Sequence, residues 1–210
     1  MDVREQLALW YLRLNGYFTM PNFIAHAHDG ARTDVDVLAI RFPYSAEYPD
    51  DGEHLRFPPN KTDIVLSEVK TGECSLNGPW RKKNATQPLE TVLKRIGVFA
   101  APALVDAAAN EIYARRKFPP DEEGDKWPFV VRIVCFGQSR NMNLQDVTQI
   151  MWPQVISFIG SRFQTYVGEK ADHDHWDSFG KFLWKELSEG KQPNVAEIVK
   201  NWKNGCRCWP

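Results

Sequence analysis

A layered α/β domain built on a mixed sheet is the fold class this sequence predicts, and three observations carry the prediction. Helix-period and strand-period segments follow one another in the order helix, strand, strand, helix, strand, helices. The strand segments are short, apolar and rich in β-branched residues. The chain has 210 residues, 43% hydrophobic and 25% charged, the make-up of one ordinary globular domain rather than of a disordered chain, a fibre or a coiled coil. No apolar run nears the ~18 residues of a membrane span. The charged start, Met1-Asp2-Val3-Arg4-Glu5, does not read as a secretory signal. A cytoplasmic protein with no membrane partner is the expectation.

Each element has its own justification. Val3, Leu7, Trp10 and Leu14 recur at helical spacing over residues 3–14, and Asn15-Gly16 stops that helix with Gly16 as a left-handed cap. Residues 35–42 (VDVLAIRF) and 63–70 (DIVLSEVK) read as strands. The stretch between them, about residues 43–62, holds Pro43, Pro49, Pro58 and Pro59 and is long for a hairpin, so it is a functional flap or an insertion. Thr71 to Asn84 reads as a loop. Residues 86–99 read as a helix through Leu89, Val92, Leu93, Ile96 and Phe99, and Pro102 opens another that runs to about Lys117. A polar loop over 118–128 leads to a buried strand over 129–136, and a short strand fits around 146–151. Pro153 opens a helix, a further one spans about 176–188, and Asn194 with Glu197 forms a capping-box-like start to the last. This divides the chain into a core over 1–140 and a mainly helical extension over 141–210, packed on the same domain.

Net charge is −1, so the chain as a whole advertises no polyanion partner. The charge is unevenly spread: residues 1–67 carry six Lys/Arg against ten Asp/Glu, and residues 68–117 carry nine against five. An acidic segment beside a basic one fits a metal site next to an anion-binding surface, and equally fits solvated faces. The four cysteines form no C-x-x-C pair. Cys135 reads as a buried core thiol, and Cys206-Arg207-Cys208 is a weak metal signal without a second pair.

The residues with chemical promise lie on the first two strands. Side chains alternate along a strand, so Asp34 and Asp36 share a face, as do Glu68 and Lys70. Antiparallel pairing would bring the start of one strand beside the end of the next, gathering Asp34, Asp36, Glu68 and Lys70 at one edge. Two carboxylates there could hold Mg²⁺ or Mn²⁺ and leave waters on the ion. Such an ion polarises a phosphodiester, and a lysine beside it orients water or stabilises developing charge. A structural ion pair at a strand end uses the same residue types.

The pattern Asp36, long loop, Glu68-Val69-Lys70 resembles the PD-(D/E)xK nuclease superfamily, and its N-terminal part is similar to YraN-like and Holliday-junction-resolvase-like members. The matching pieces are Arg4-Glu5-Gln6-Leu7-Ala8, Gly16-Tyr17, Asp34-Val35-Asp36-Val37-Leu38-Ala39 and Ser67-Glu68-Val69-Lys70-Thr71-Gly72, within about the first third of the chain. The resemblance implies a restriction-endonuclease-like layered α/β/α core with a mixed central sheet and extra C-terminal helices. It implies Asp36 and Glu68 as ligands of Mg²⁺ or Mn²⁺, with the Val69 carbonyl as a third, and Lys70 as the catalytic lysine. Glu5 would support the metal through water, and Asp34 is a secondary candidate. The implied activity is that of a metal-dependent phosphodiesterase, a DNA endonuclease, with homodimers common among such proteins. The alternative is a catalytically inactive nucleic-acid-binding or scaffolding protein on the same fold. Gln87 and Lys94 are candidates for the polar residue that members carry on the following helix. The insertion over 43–62 and everything beyond residue 100 depart from the pattern.

Other features have two readings each. Trp80-Arg81-Lys82-Lys83 could bind phosphates and stack a base, or form a solvated loop anchored by its Trp. Arg115-Arg116-Lys117 complements a helix C-terminus. Asp172-His173-Asp174-His175-Trp176-Asp177 looks like a metal cluster, but it precedes a helix that its acids would cap. His26 and His28 precede the first strand and read as surface residues. The eight Trp residues fall mostly at core positions.

Overall fold

Apolar residues occupy nearly every side of the first helix, α1 (Val3–Leu14), and the fold buries it accordingly. In the computed structural model, which describes residues 1–26, 32–45, 55–58, 60–81, 87–120, 126–165, 168, 176–191 and 193–205, eight of its twelve residues are buried. Asp2 and Glu5 close a capping box at its start. Its end is fixed by Asn15, wholly buried and bonded to the Tyr11 carbonyl, and by Gly16 at φ 80°.

The sheet follows. It comprises β1 (Phe18–His26), β2 (Arg32–Arg41), β3 (Thr62–Val69), β4 (Lys117–Phe118), β5 (Phe129–Gly137) and β6 (Thr148–Met151). The strand order is β1-β2-β3-β5-β4, with β6 also pairing with β5. β1, β2 and β3 pair antiparallel, while β3 and β5 run parallel, so the sheet is mixed. A parallel pair needs a crossover. It is supplied by α2 (Gly78–Arg81), α3 (Pro88–Ile96) and α4 (Pro102–Arg115). After β6 come α5 (Trp152–Thr165), α6 (Ser178–Leu187) and α7 (Val195–Gly205).

Two apolar cores flank the sheet. Val37, Ala39, Val65, Val134 and Phe136 meet α1, α5, α6 and α7. Leu38, Ile64, Leu66, Val131 and Ile133 meet α2, α3 and α4. Helices on both faces explain why β3 is buried almost end to end.

Several expectations need correction. β1 falls in a stretch not read as a strand. α2 forms inside the segment read as a loop, and the helix read over 86–99 is described as Pro88–Ile96, with residues 82–86 outside the described residues. β4 takes two residues at the turn from α4. The sheet and its core run on past residue 140, where β6 pairs with β5 and α5 shares a core with α1. No helix among the described residues is long and apolar enough to cross a membrane.

Candidate functional site

The strand pairing sets the site. β2 and β3 pair from Arg41↔Asp63 to Val37↔Ser67, so Asp36 and Glu68 are next in register, just past the end of the ladder. On the other side of β2 the pairs Pro21↔Val37 and Phe23↔Val35 flank Asp36, opposite Asn22 at φ 48°. The alternation breaks here. Val35 joins the same core as Leu38, although strict alternation would put them on opposite faces. Asp36 is thus the point where the pleat changes phase, not a regular member of the Leu38–Ile40 face.

Four groups meet around the ends of these strands. The Val69 N–H donates to Asp36 Oδ2 at 2.6 Å. Lys70 Nζ lies 2.5 Å from Glu68 Oε2 and donates to Asn77 Oδ1 at 2.8 Å. The Asn77 amide reaches Glu68 Oε1 at 3.4 Å. Trp152 Nε1 donates to the Lys70 carbonyl at 3.2 Å, and Lys70 N–H to the Phe136 carbonyl at 2.9 Å, which pins the end of β3 to β5 and α5.

Glu68 is only 3% exposed. Burial pushes its carboxyl up from 4.5 to about 7; Lys70 pulls it down, and the Asp36 charge pushes it up again. Glu5, in the first turn of α1, accepts from the Asp2 N–H at 3.0 Å. Its carboxyl is also raised, first by burial and further by Asp36, and lowered by the Asp2 bond. Asp36 therefore acts on both glutamates. Glu68 Oε2 is buried, and beyond the Lys70 ion pair it has no hydrogen-bond partner among the described residues.

These donors fit a hard divalent cation in kind. They are carboxylate oxygens, the Asp36 charge raising the carboxyls of Glu5 and Glu68, with a main-chain carbonyl alongside, and Mg²⁺ commonly takes only one or two carboxylates and keeps waters. No group of three or more His, Cys, Asp and Glu side chains suited to a metal occurs among the described residues.

The remaining sequence candidates are dispersed. Asp34 pairs with Ile24 through its backbone, and its side chain lies outside the described residues. Trp80 is 3% exposed in the α2–α4 core, so its ring is not open to a base. Arg81 donates to the Leu76 carbonyl at 2.7 Å. Lys82 and Lys83 lie outside the described residues. Gln87, at the start of α3 with φ 44°, and Lys94 are exposed, and no hydrogen bond or ion pair among the described residues ties either to Glu68 or Lys70. Arg115 pairs with Glu111, and Arg116 donates to the Trp80 carbonyl at 3.1 Å. His28, the Asp172–His175 run, Cys206 and Cys208 lie outside the described residues, while Asp177 caps α6. Asn77 and Trp152 were not legible as site residues: each reaches Lys70 through tertiary packing, and neither belongs to a motif.

The class these elements define is a mixed α/β domain with an acid–lysine cluster at adjacent strand ends. Set against known proteins, the chain matches no protein-family model, no curated protein and no solved structure.

Proposed function

We propose that the chain is a metal-dependent phosphodiesterase on a restriction-endonuclease-like core, acting on DNA as an endonuclease. The observation that carries the reading is the convergence of Asp36, Glu68 and Lys70 past the β2–β3 ladder, with the Lys70 ammonium 2.5 Å from a carboxylate that is buried and raised to about 7. Perturbed carboxyls beside a cation are a common mark of a working site.

Asp36 and Glu68, with the Val69 carbonyl, would hold Mg²⁺ or Mn²⁺. That ion, when bound, supplies a polarised phosphate and a more acidic water. The chain's own residues do the rest. Lys70 is held between Glu68 and Asn77, where its charge can orient water or stabilise charge growing on a phosphate oxygen. The Val69 N–H fixes the Asp36 carboxylate. Glu5 adds negative charge from α1.

The close Lys70–Glu68 ion pair, at 2.5 Å, favours a second reading, in which the cluster is a structural ion pair in a nucleic-acid-binding protein without catalysis. One experiment separates the two. Plasmid, linear duplex, single strands, branched DNA and RNA are incubated with Mg²⁺ and with Mn²⁺, alongside Mn²⁺ titration. Cleavage that falls about 10²–10³-fold in Lys70→Ala and Asp36→Ala is expected. Undiminished cleavage in Lys70→Ala, or no Mn²⁺ site dependent on Asp36 and Glu68, overturns the reading.

A further inference from the structure

β5 carries two short strands on its outer edge. β4 pairs with its beginning, at Val131 and Arg132, and β6 with its end, from Val134 to Gly137. The edge is split between them, and two hollows of about 420 and 390 Å³ open there. They share Arg132 and Thr148. Arg56 and Arg140 line the first, and Arg115, Arg116 and Lys117 the second. Asp146 is the one acid among the described lining residues of both. Six basic side chains thus surround one notch in a chain of net charge −1, two of them paired: Arg132 with Asp63 and Arg115 with Glu111.

The charges are held differently. Arg132 is fixed by Asp63, through Nε at 3.1 Å and Nη2 at 2.6 Å, and so forms a rigid floor whose charge is balanced by that carboxylate. Arg56 and Arg140 have no hydrogen bond or ion pair among the described residues, and both are exposed. Exposed cations with no acid partner among the described residues, beside a fixed one, are suited to an anion. A small-ligand site is concave and mostly apolar. Here the hollows adjoin, their walls mix polar and apolar groups, and no aromatic side chain is among the described residues that line either one.

We infer that this notch is a nucleic-acid-binding surface, gripping successive phosphates of one strand from Arg56 and Arg140 across Arg132 to Arg115 and Lys117. With no ring to stack on among the described residues, the contact is to the backbone, so binding is insensitive to sequence and steeply dependent on salt. The surface does not depend on hydrolysis at Lys70.

The test is fluorescence anisotropy of labelled oligonucleotides of about 20 nucleotides, single-stranded and duplex, without divalent metal so that nothing is cut. Arg56→Ala/Arg140→Ala is expected to weaken binding about tenfold or more, and to reduce the slope of log K against log salt by about one per lost contact. Arg56→Lys/Arg140→Lys should restore most of the affinity, while Lys185→Ala/Lys200→Ala, on α6 and α7, should leave it intact. Arg56→Ala/Arg140→Ala should take up Mn²⁺ as the parent chain does, since neither arginine belongs to the Asp36–Glu68–Lys70 cluster, which keeps this inference separate from the cleavage reading. Unchanged affinity in Arg56→Ala/Arg140→Ala overturns the inference. So does oligonucleotide binding that fails while inorganic pyrophosphate binds through the same arginines, which would mark a small-anion site.

Discussion

Glu68 is where burial and charge oppose each other most directly. Its carboxyl titrates near 7 in the folded chain against 4.5 in a model peptide, so between those values the folded state holds a proton that the unfolded state has lost. The stability from that proton is fully present below 4.5 and is lost as pH rises through about 7. Integrated, the shift corresponds to no more than ~3.5 kcal/mol. Glu68→Gln, which stays neutral, should therefore flatten the stability–pH curve between pH 5 and 8. Chemical denaturation at several pH values checks this, and an unchanged curve for the variant would mean that Glu68 is not the titrating group. At this scale the sequence is informative where the backbone sets direction: Glu68 and Lys70, two apart at the end of β3, do meet. It is silent where direction comes from a break in the pleat, as at Asp36, or from distant chain, as with Trp152 on the Lys70 carbonyl.

Elements were legible in proportion to their periodicity. β3 and β5, buried on both faces, announce themselves as apolar runs. β1 does not, because it is an edge strand: Phe18 and Met20 are exposed, Pro21 lacks an N–H, and Asn22 takes a positive φ, so neither alternation nor propensity marks it. The start of α6 shows how a cap can also bind elements together. Asp177 Oδ1 accepts from the Gly180 N–H at 2.7 Å and from Trp10 Nε1 at 3.2 Å, and Oδ2 meets Arg13 at 3.0 Å. The Arg13 pair is about half exposed and adds little. Losing the cap and the indole bond in Asp177→Ala should cost about 1–2 kcal/mol. Asp177→Asn, which retains an acceptor for both, should recover most of that in thermal denaturation. Equal destabilisation by the two variants would instead assign the effect to the charge.

At the scale of the whole molecule, the sequence predicts the layers and their order but not how the last third belongs to them. Helical spacing over residues 153–188 says that those helices have an apolar face, not what the face covers. In the structure it joins α1 and one face of the sheet in one continuous core. Trp152, fully buried, stacks on Phe136 with ring centroids 6.1 Å apart, and Tyr11 packs edge-on against both Phe136 and Phe158. β6 adds four residue pairs to the end of β5, directly beside the backbone that carries Lys70. A fragment ending at residue 140 would expose the outer side of α1 and of Phe136 and leave that end of β5 unpaired. Large apolar surfaces released in this way drive expansion or association rather than a smaller native fold. The fragment 1–140 should therefore show no cooperative thermal transition and should bind a hydrophobic dye, whereas the full chain unfolds in one transition. A sharp transition in the fragment would mean that the first core is self-sufficient and that α5–α7 only cover it.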